Sequence, residues 1–245
     1  MDSLPWHLAL WDGSLLGLCY DSTKKGYAIE KFKDLPLTYA LMGMNVVVFV
    51  LMSLVPSLEN LFYAHGELHA YGVLYLGEWY RLLTSMFLHN GMMHILFNTV
   101  SLYMLGQIME KLFSWRAYLG IYLLTGIIGG LTFIYFNPNG SAVGASGAVF
   151  GLFGALAGFV FVHRKTHSEQ FVFFMKQFGV ILLLNFLLGV VFDNIAMSAH
   201  VGGLISGMLL GAGIAKTPRY LWAYLIFGSA FILMFYFYLW NLYLG

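Results

Sequence analysis

A serine framed by glycines and a histidine further along the chain form the most informative pair of residues in this sequence. Ser146 lies in Gly144-Ala145-Ser146-Gly147 at the start of one long apolar run, and His200 starts another. Hydrocarbon makes polar side chains costly, so intramembrane polar residues are usually functional. The pair therefore suggests a serine nucleophile and its general base inside a membrane. The alternative for Ser146 and its glycines is tight helix packing alone.

A second polar group lies in the segment from residue 87 to residue 98. His94 and Asn98 are four positions apart and share one face of a helix. Both side chains can donate hydrogen bonds to an oxyanion, which amide hydrolysis requires. An interhelical polar clamp is the alternative for these two residues. His89 either orients the same site or lies at the membrane interface.

The composition indicates the class of protein that must position these residues. The 245-residue chain is 60% apolar and 9% charged, whereas about a quarter of an ordinary soluble domain is charged. This predicts an all-α, polytopic transmembrane helix bundle. Seven stretches reach the length needed to cross a bilayer: 37–57, 90–108, 115–136, 145–162, 172–192, 198–215 and 220–243.

The distribution of basic residues predicts the orientation of the bundle. Residues 1–36 do not have the pattern of a cleaved signal, so we interpret them as a cytoplasmic tail. With this end inside, eleven of the twelve lysines and arginines are cytoplasmic, Arg81 is external, and the C-terminus is external. The net charge of +1 gives no basic face for nucleic acid. The lone Cys19 excludes an intramolecular disulfide.

This topology brings the two catalytic candidates to the same side of the membrane. Ser146 and His200 both begin their spans from outside, and a short fourth helix over 146–162 predicts a shallow cavity above the serine. Glycines three or four residues apart form one stripe on the fourth span, and glycines four residues apart, including Gly203 and Gly207, form another on the sixth. Such stripes predict that the two helices touch. At about 100° per residue His200 lies on its stripe, whereas Ser146 lies at the edge of its own.

Four ordered motifs between residues 37 and 215 resemble those of the rhomboid intramembrane serine proteases. They are Glu78-Trp79-Tyr80-Arg81, His89 with His94 and Asn98, Gly144-Ala145-Ser146-Gly147, and Ala199-His200-Val201-Gly202-Gly203 with Gly207. The resemblance implies a six-helix core over 37–216 and an additional C-terminal helix over 217–245. We assign this seventh helix no catalytic role.

The resemblance also implies roles for individual residues. Ser146 is the nucleophile and His200 the general base and acid of a dyad without an acidic third member, although Asp193 is close in sequence. The Ser146 backbone N–H, His94 and Asn98 hold the oxyanion, and Glu110 matches an acidic position of the family. The residues in supporting roles are Gly144, Gly147, Phe150, His89, Arg81, Gly203 and Gly207. The chain departs from the family pattern at Tyr80, where tryptophan is usual, and at Phe150, where some bacterial members have tyrosine.

The expected function is hydrolysis of a peptide bond in or near the transmembrane segment of single-span membrane proteins, with no cofactor and no metal. The chain resembles bacterial members of the family, which implies that it lies in the bacterial plasma membrane with its active site open to the outer side. The expected partners are these substrates and the lipid bilayer. A non-proteolytic rhomboid-like protein that binds membrane clients is the alternative. A transporter is disfavoured because the spans lack paired charges and repeated broken helices.

Overall fold

The computed structural model of the chain describes residues 19–21, 26–28, 36–165, 176 and 196–245. Within them lie eight α-helices: α1 (Pro36–Leu54), α2 (Pro56–Gly66), α3 (Arg81–Thr84), α4 (Met92–Leu112), α5 (Trp115–Phe136), α6 (Ser146–His163), α7 (Met197–Lys216) and α8 (Leu221–Leu244). The chain is therefore a helical bundle, as its composition predicts. A π-helix covers Tyr71–Tyr75, and 3₁₀ turns cover Ser85–Phe87 and Pro218–Tyr220.

Six of the described helices are long and apolar enough to cross a membrane: α1, α4, α5, α6, α7, and α8 together with the turn before it. They coincide with six of the seven predicted spans, including the additional C-terminal one. Apart from Lys176, the fifth predicted span, 172–192, lies outside the described residues. Most of the predicted cytoplasmic tail and Asp193 lie outside them too.

Two helix boundaries differ from the sequence prediction for local reasons. The first span was predicted to run to residue 57, but α1 ends at Leu54. Pro56 disfavours helical backbone at Val55, which is extended with φ −128°, and the proline itself starts α2. The second span was predicted over 90–108. Helix α4 begins after Gly91, whose φ is +90°, and continues to Leu112.

Four short strands form two antiparallel pairs. Strands β1 (Cys19–Asp21) and β2 (Gly26–Ala28) pair near the N-terminus. Strand β3 (Leu68–His69) follows α2 and pairs with β4 (Ser141–Ala142), which lies just before α6. The second pair therefore joins the connection between α2 and α3 to the segment that leads into Ser146.

The buried side chains form two clusters. One is centred on α4, α5 and α6 and includes the fully buried tyrosines Tyr118 and Tyr122. The other lies at the end that carries β3 and includes Leu68, Val73 and Leu239. The second cluster thus contains a residue of α8, so the C-terminal helix belongs to the packed core at the end where α6 begins.

Candidate active site

Ser146 is the first residue of α6, and the chain before it is held by hydrogen bonds to other elements. The Gly144 N–H donates to the Ser85 carbonyl at 2.8 Å. Gly144 has a φ of +121°, and a Cβ there would lie 2.6 Å from Nε2 of His94. Both the backbone conformation and the close approach require glycine at this position. The segment leading to the serine is therefore fixed between α4 and the turn at Ser85.

His200 lies in the first turn of α7 and is buried. Its Nε2 is 2.7 Å from Oγ of Ser146. The Phe150 ring stacks on the imidazole with centroids 4.3 Å apart and planes 7° from parallel. The Nδ1 atom of His200 has no hydrogen-bond partner among the described residues. The structure thus brings together the two residues that the sequence nominated as nucleophile and base.

Glycine-mediated contact between α6 and α7 explains this approach. A Cβ at Gly203 would clash with the Gly147 carbonyl, and one at Gly207 would clash with the Gly151 carbonyl. The prediction that the two glycine stripes touch is confirmed. Ser146, which ideal helical spacing leaves at the edge of its stripe, still meets His200. Both side chains lie in the first turn of their helices, where side-chain reach and end geometry outweigh the ideal angle.

His94 and His89 both lie against the segment that leads to Ser146. The His94 ring packs beside Gly144 and meets the His89 ring edge-on, with centroids 5.1 Å apart. His89 is only 1% exposed, and its Nε2 lies 3.5 Å from the Ala145 N–H. The structure therefore places His89 in the protein interior next to the serine, where it can orient the site; whether this point lies at the membrane interface stays a prediction.

Asn98 is buried one helical turn beyond His94. Its Nδ2 donates a hydrogen bond to the His94 carbonyl at 2.9 Å. An amide nitrogen carries two hydrogens, so this bond leaves one donor free for a second partner. His94 thus lies at the entrance to α6, whereas Asn98 lies deeper along α4.

The buried side chain of Arg81 holds the connection between α2 and α3 in place. The side chain is 4% exposed, and its two terminal nitrogens donate to the carbonyls of Glu67 at 2.9 Å and Ala64 at 2.7 Å. Its Nε forms an ion pair with Glu78 at 2.6 Å. The Arg81 guanidinium lowers the pKa of the Glu78 carboxyl, chiefly through this hydrogen bond. Arg81 holds these backbone carbonyls although position 80 carries tyrosine in place of the usual tryptophan of the family.

A cavity opens beside the serine, and its walls are made mostly of small residues. Around Ser146 it is lined by Leu68, Gly126, Gly130, Ala142 and Ala199, among others. Leu68 comes from β3, the two glycines from α5, and Ala199 from the residue before His200. A cavity is therefore present beside the serine, and it offers room for a small side chain. That it opens to the outer side stays a prediction.

Several residues that build the site were not identified from the sequence. Ser85 supplies the carbonyl that holds Gly144, and Tyr63 donates a hydrogen bond from its hydroxyl to the His89 carbonyl at 3.2 Å. Leu68 forms a wall of the cavity. Each of these residues acts through a backbone carbonyl or an apolar surface and contacts residues distant in sequence. No sequence motif or periodic pattern therefore predicts them.

A half-buried serine beside a buried imidazole, held in a helical membrane bundle, defines a polytopic membrane protein whose site suits nucleophilic chemistry. A family model described as a rhomboid domain matches residues 76–217. This match covers more than half of the chain and includes Ser146, His200, His94 and Asn98. The chain belongs to the rhomboid family.

Curated relatives from a bacterium and a plant are similar over most of this chain. Rhomboid protease GluP of Bacillus subtilis (strain 168) is 34% identical over 186 residues, which cover 72% of this chain and 34% of that protein. RHOMBOID-like protein 1 of Arabidopsis thaliana is 33% identical over 155 residues, covering 63% of this chain and 39% of that protein. RHOMBOID-like protein 4 of the same plant is 35% identical over 145 residues, covering 59% and 36%. The chain thus spans little more than a third of the length of these relatives.

Proposed function

We propose that this chain is an intramembrane serine endopeptidase that cleaves single-span membrane proteins in or near their transmembrane segment. The observation that carries the proposal is the 2.7 Å separation between Nε2 of His200 and Oγ of Ser146 inside a helical bundle. Membership of the rhomboid family and the similarity to a relative named as a rhomboid protease support the same activity.

The proposed catalytic steps follow from the pairing of Ser146 with His200. The Ser146 hydroxyl donates its proton to Nε2 of His200 as Oγ attacks the scissile carbonyl. The imidazolium then gives that proton to the leaving amine, and a water activated by the same nitrogen hydrolyses the acyl-enzyme. The stack of Phe150 on the ring keeps the imidazole facing the serine throughout. The pair acts as a dyad in this proposal.

The negative charge that develops on the carbonyl oxygen of the substrate must be stabilised by hydrogen-bond donors. We assign this role to the Ser146 N–H at the start of α6, to the His94 ring and to the free amide hydrogen of Asn98. The helix N-terminus adds a favourable dipole at the same point. Replacing Asn98 by alanine is expected to reduce kcat by about 100-fold or more if it is one of these donors.

The lipid environment of the site restricts which substrates can be cleaved. A transmembrane helix satisfies its own backbone, so a peptide bond reaches Ser146 only where the substrate helix unwinds. Glycine, proline or polar residues near the cut favour such unwinding. The small-residue walls of the cavity support a small side chain next to the scissile bond. Water reaches the bond because the serine lies at the end of a helix, on what we propose to be the outer side of a bacterial plasma membrane.

Cleavage by the purified chain in liposomes tests the proposal. Wild type, Ser146→Ala and His200→Ala are incubated with a single-span substrate that carries a helix-destabilising residue, and a fluorophosphonate probe measures serine reactivity in parallel. We expect wild type to cleave and to be labelled, and both variants to lose at least about 10⁴-fold in kcat. If wild type neither cleaves nor reacts, the protease proposal fails. Binding of the same uncut substrate would then favour the alternative, a non-proteolytic client-binding protein.

A further inference from the structure

The last turns of α8 contact the connection between α2 and α3, residues 67–80, which we call the α2–α3 loop. The Tyr236 hydroxyl donates to the Val73 carbonyl at 3.3 Å. In the opposite direction, the Tyr75 hydroxyl donates to the Tyr243 carbonyl at 3.2 Å. Two hydrogen bonds therefore join the C-terminal helix to a loop more than 150 positions earlier in the sequence.

Leu239 shows that this contact includes packing in the core. Leu233 and Leu242 of the same helix are 60% and 50% exposed, as expected for residues that face lipid, whereas Leu239 is fully buried. It belongs to the cluster that contains Val73 and Leu68. Leu239 is therefore part of the packing that holds the α2–α3 loop in place.

The same loop forms one wall of the active site. The Gly72 N–H donates to Nδ1 of His69 at 2.9 Å, which ties the turn that contacts α8 to strand β3. Strand β3 pairs with β4, and Leu68 of β3 lines the cavity beside Ser146. A continuous set of contacts thus runs from α8 through the loop to the cavity wall.

We propose that α8 is a positioning element of the active site: Leu239 and Tyr236 hold the α2–α3 loop so that Leu68 limits the size of the side chain accepted next to the scissile bond. The inference rests on the proposed function. Leu239 and Tyr236 are positioning residues that act through Val73 and Leu68 and leave the reacting atoms to Ser146 and His200. This assigns a role in specificity to α8, the predicted seventh span, for which the sequence analysis found no catalytic role.

The test uses two single-span substrates that differ only in the residue before the cut, alanine in one and leucine in the other. The measured quantity is the ratio of their kcat/KM values for the 245-residue chain in liposomes. Because both substrates see the same enzyme, the ratio does not depend on the fraction of folded protein. In wild type we expect a preference for alanine of about 10-fold or more.

Leu239→Ala removes the side chain that packs against the loop, so Leu68 gains freedom and the preference for alanine is expected to fall by about threefold or more. Tyr236→Phe removes only the hydroxyl that bonds Val73 and is expected to lower the ratio less, in the same direction. Leu239→Met conserves volume and is expected to restore the wild-type ratio. A helix that merely stabilised the fold would lower both kcat/KM values together and leave the ratio unchanged.

Matched controls come from the lipid-facing side of α8. Leu233→Ala and Tyr238→Phe repeat the two substitutions at side chains that are 60% and 52% exposed, and neither is expected to move the ratio. The inference is overturned if wild type cleaves and the ratio of Leu239→Ala and Tyr236→Phe equals that of the controls. If wild type itself neither cleaves nor reacts with the fluorophosphonate, the protease function fails, and the inference falls with it.

Discussion

Helices α6 and α7 meet in a different way from helices α5 and α8. The first pair approaches backbone to backbone, because Gly203 lies against the carbonyl of Gly147 and Gly207 against that of Gly151. The second pair meets through side chains: the nearest atoms to Gly120 of α5 belong to the Leu225 side chain of α8.

The two kinds of contact suit the different groups that the two interfaces position. Ser146 and His200 project from the first turns of α6 and α7, so their separation depends directly on the distance between the two backbones. Backbone atoms have no rotamers through which to absorb a change. A leucine or tyrosine side chain can turn to another rotamer at modest cost. The interface that positions the chemistry is therefore rigid, and the one that carries α8 is adaptable.

The largest effect is expected where a methyl group is inserted into the rigid interface. Gly203→Ala places a Cβ against the Gly147 carbonyl, so α6 and α7 must separate. Overpacking of this kind costs about 1–3 kcal/mol of stability, and a displacement near 1 Å between reacting groups can cost about 100-fold in rate. Cleavage and fluorophosphonate labelling, each normalised to folded protein, measure the second effect. A Gly203→Ala variant with wild-type cleavage would show that the interface is not rigid.

A second substitution separates the aromatic contact between α6 and α7 from the glycine contacts. Phe150→Ala removes the ring that stacks on His200 and leaves the backbones in place. The imidazole then gains rotamers, and we expect kcat to fall by about 10-fold, with stability lowered by the lost burial. Phe150→Tyr, which keeps the ring, is the control and should retain most of the activity. Equal rates for the alanine and tyrosine variants would mean that the stack does not hold the histidine.

The sequence predicted the rigid interface better than the adaptable one. Apolar length revealed the spans, and glycine period revealed which faces of α6 and α7 touch, because both signals repeat along a helix. The same logic could not predict where α8 meets the α2–α3 loop, because that contact depends on Leu239 and Tyr236, two ordinary residues in an apolar run. The end of α1 at Leu54 could have been predicted from the sequence, because Pro56 disfavours helical backbone at the residue before it.

In the site, the sequence identified residues with distinctive chemistry and missed those that act through backbone or shape. Ser146, His200 and Phe150 lie together as their motifs suggested. The carbonyl of Ser85 and the wall formed by Leu68 went unrecognised, because any residue has a carbonyl and leucine is common in a membrane protein. Both depend on the β3–β4 pairing and on the turn at residues 85–87, which are too short to leave a periodic signal.

The polar contact at the opposite end of the bundle allows a test of whether stability and chemistry can be separated. Oε1 of Glu110 on α4 accepts hydrogen bonds from the backbone N–H of Thr38 at 2.7 Å and from its hydroxyl at 2.8 Å. Glu110→Gln keeps the shape and removes the charge, so we expect the free energy of unfolding to fall by about 1 kcal/mol. Denaturant titration in detergent measures it. Activity per labelled molecule is expected to match wild type, and a parallel loss of kcat would show that this end communicates with Ser146.

The smallest effect is expected for the same glycine-to-alanine change in the adaptable interface. At Gly120 the new Cβ would meet a terminal methyl of Leu225 at 2.5 Å, and a leucine end group can rotate away. Alanine also favours helix over glycine by about 1 kcal/mol, so the two terms nearly cancel and the unfolding midpoint should stay within experimental error of wild type. Gly43→Ala, where nothing lies within 4 Å of the new Cβ, reports the helix propensity alone. If Gly120→Ala is as damaging as Gly203→Ala, the contrast between a backbone interface and a side-chain interface is wrong, and α8 is held as rigidly as the catalytic pair.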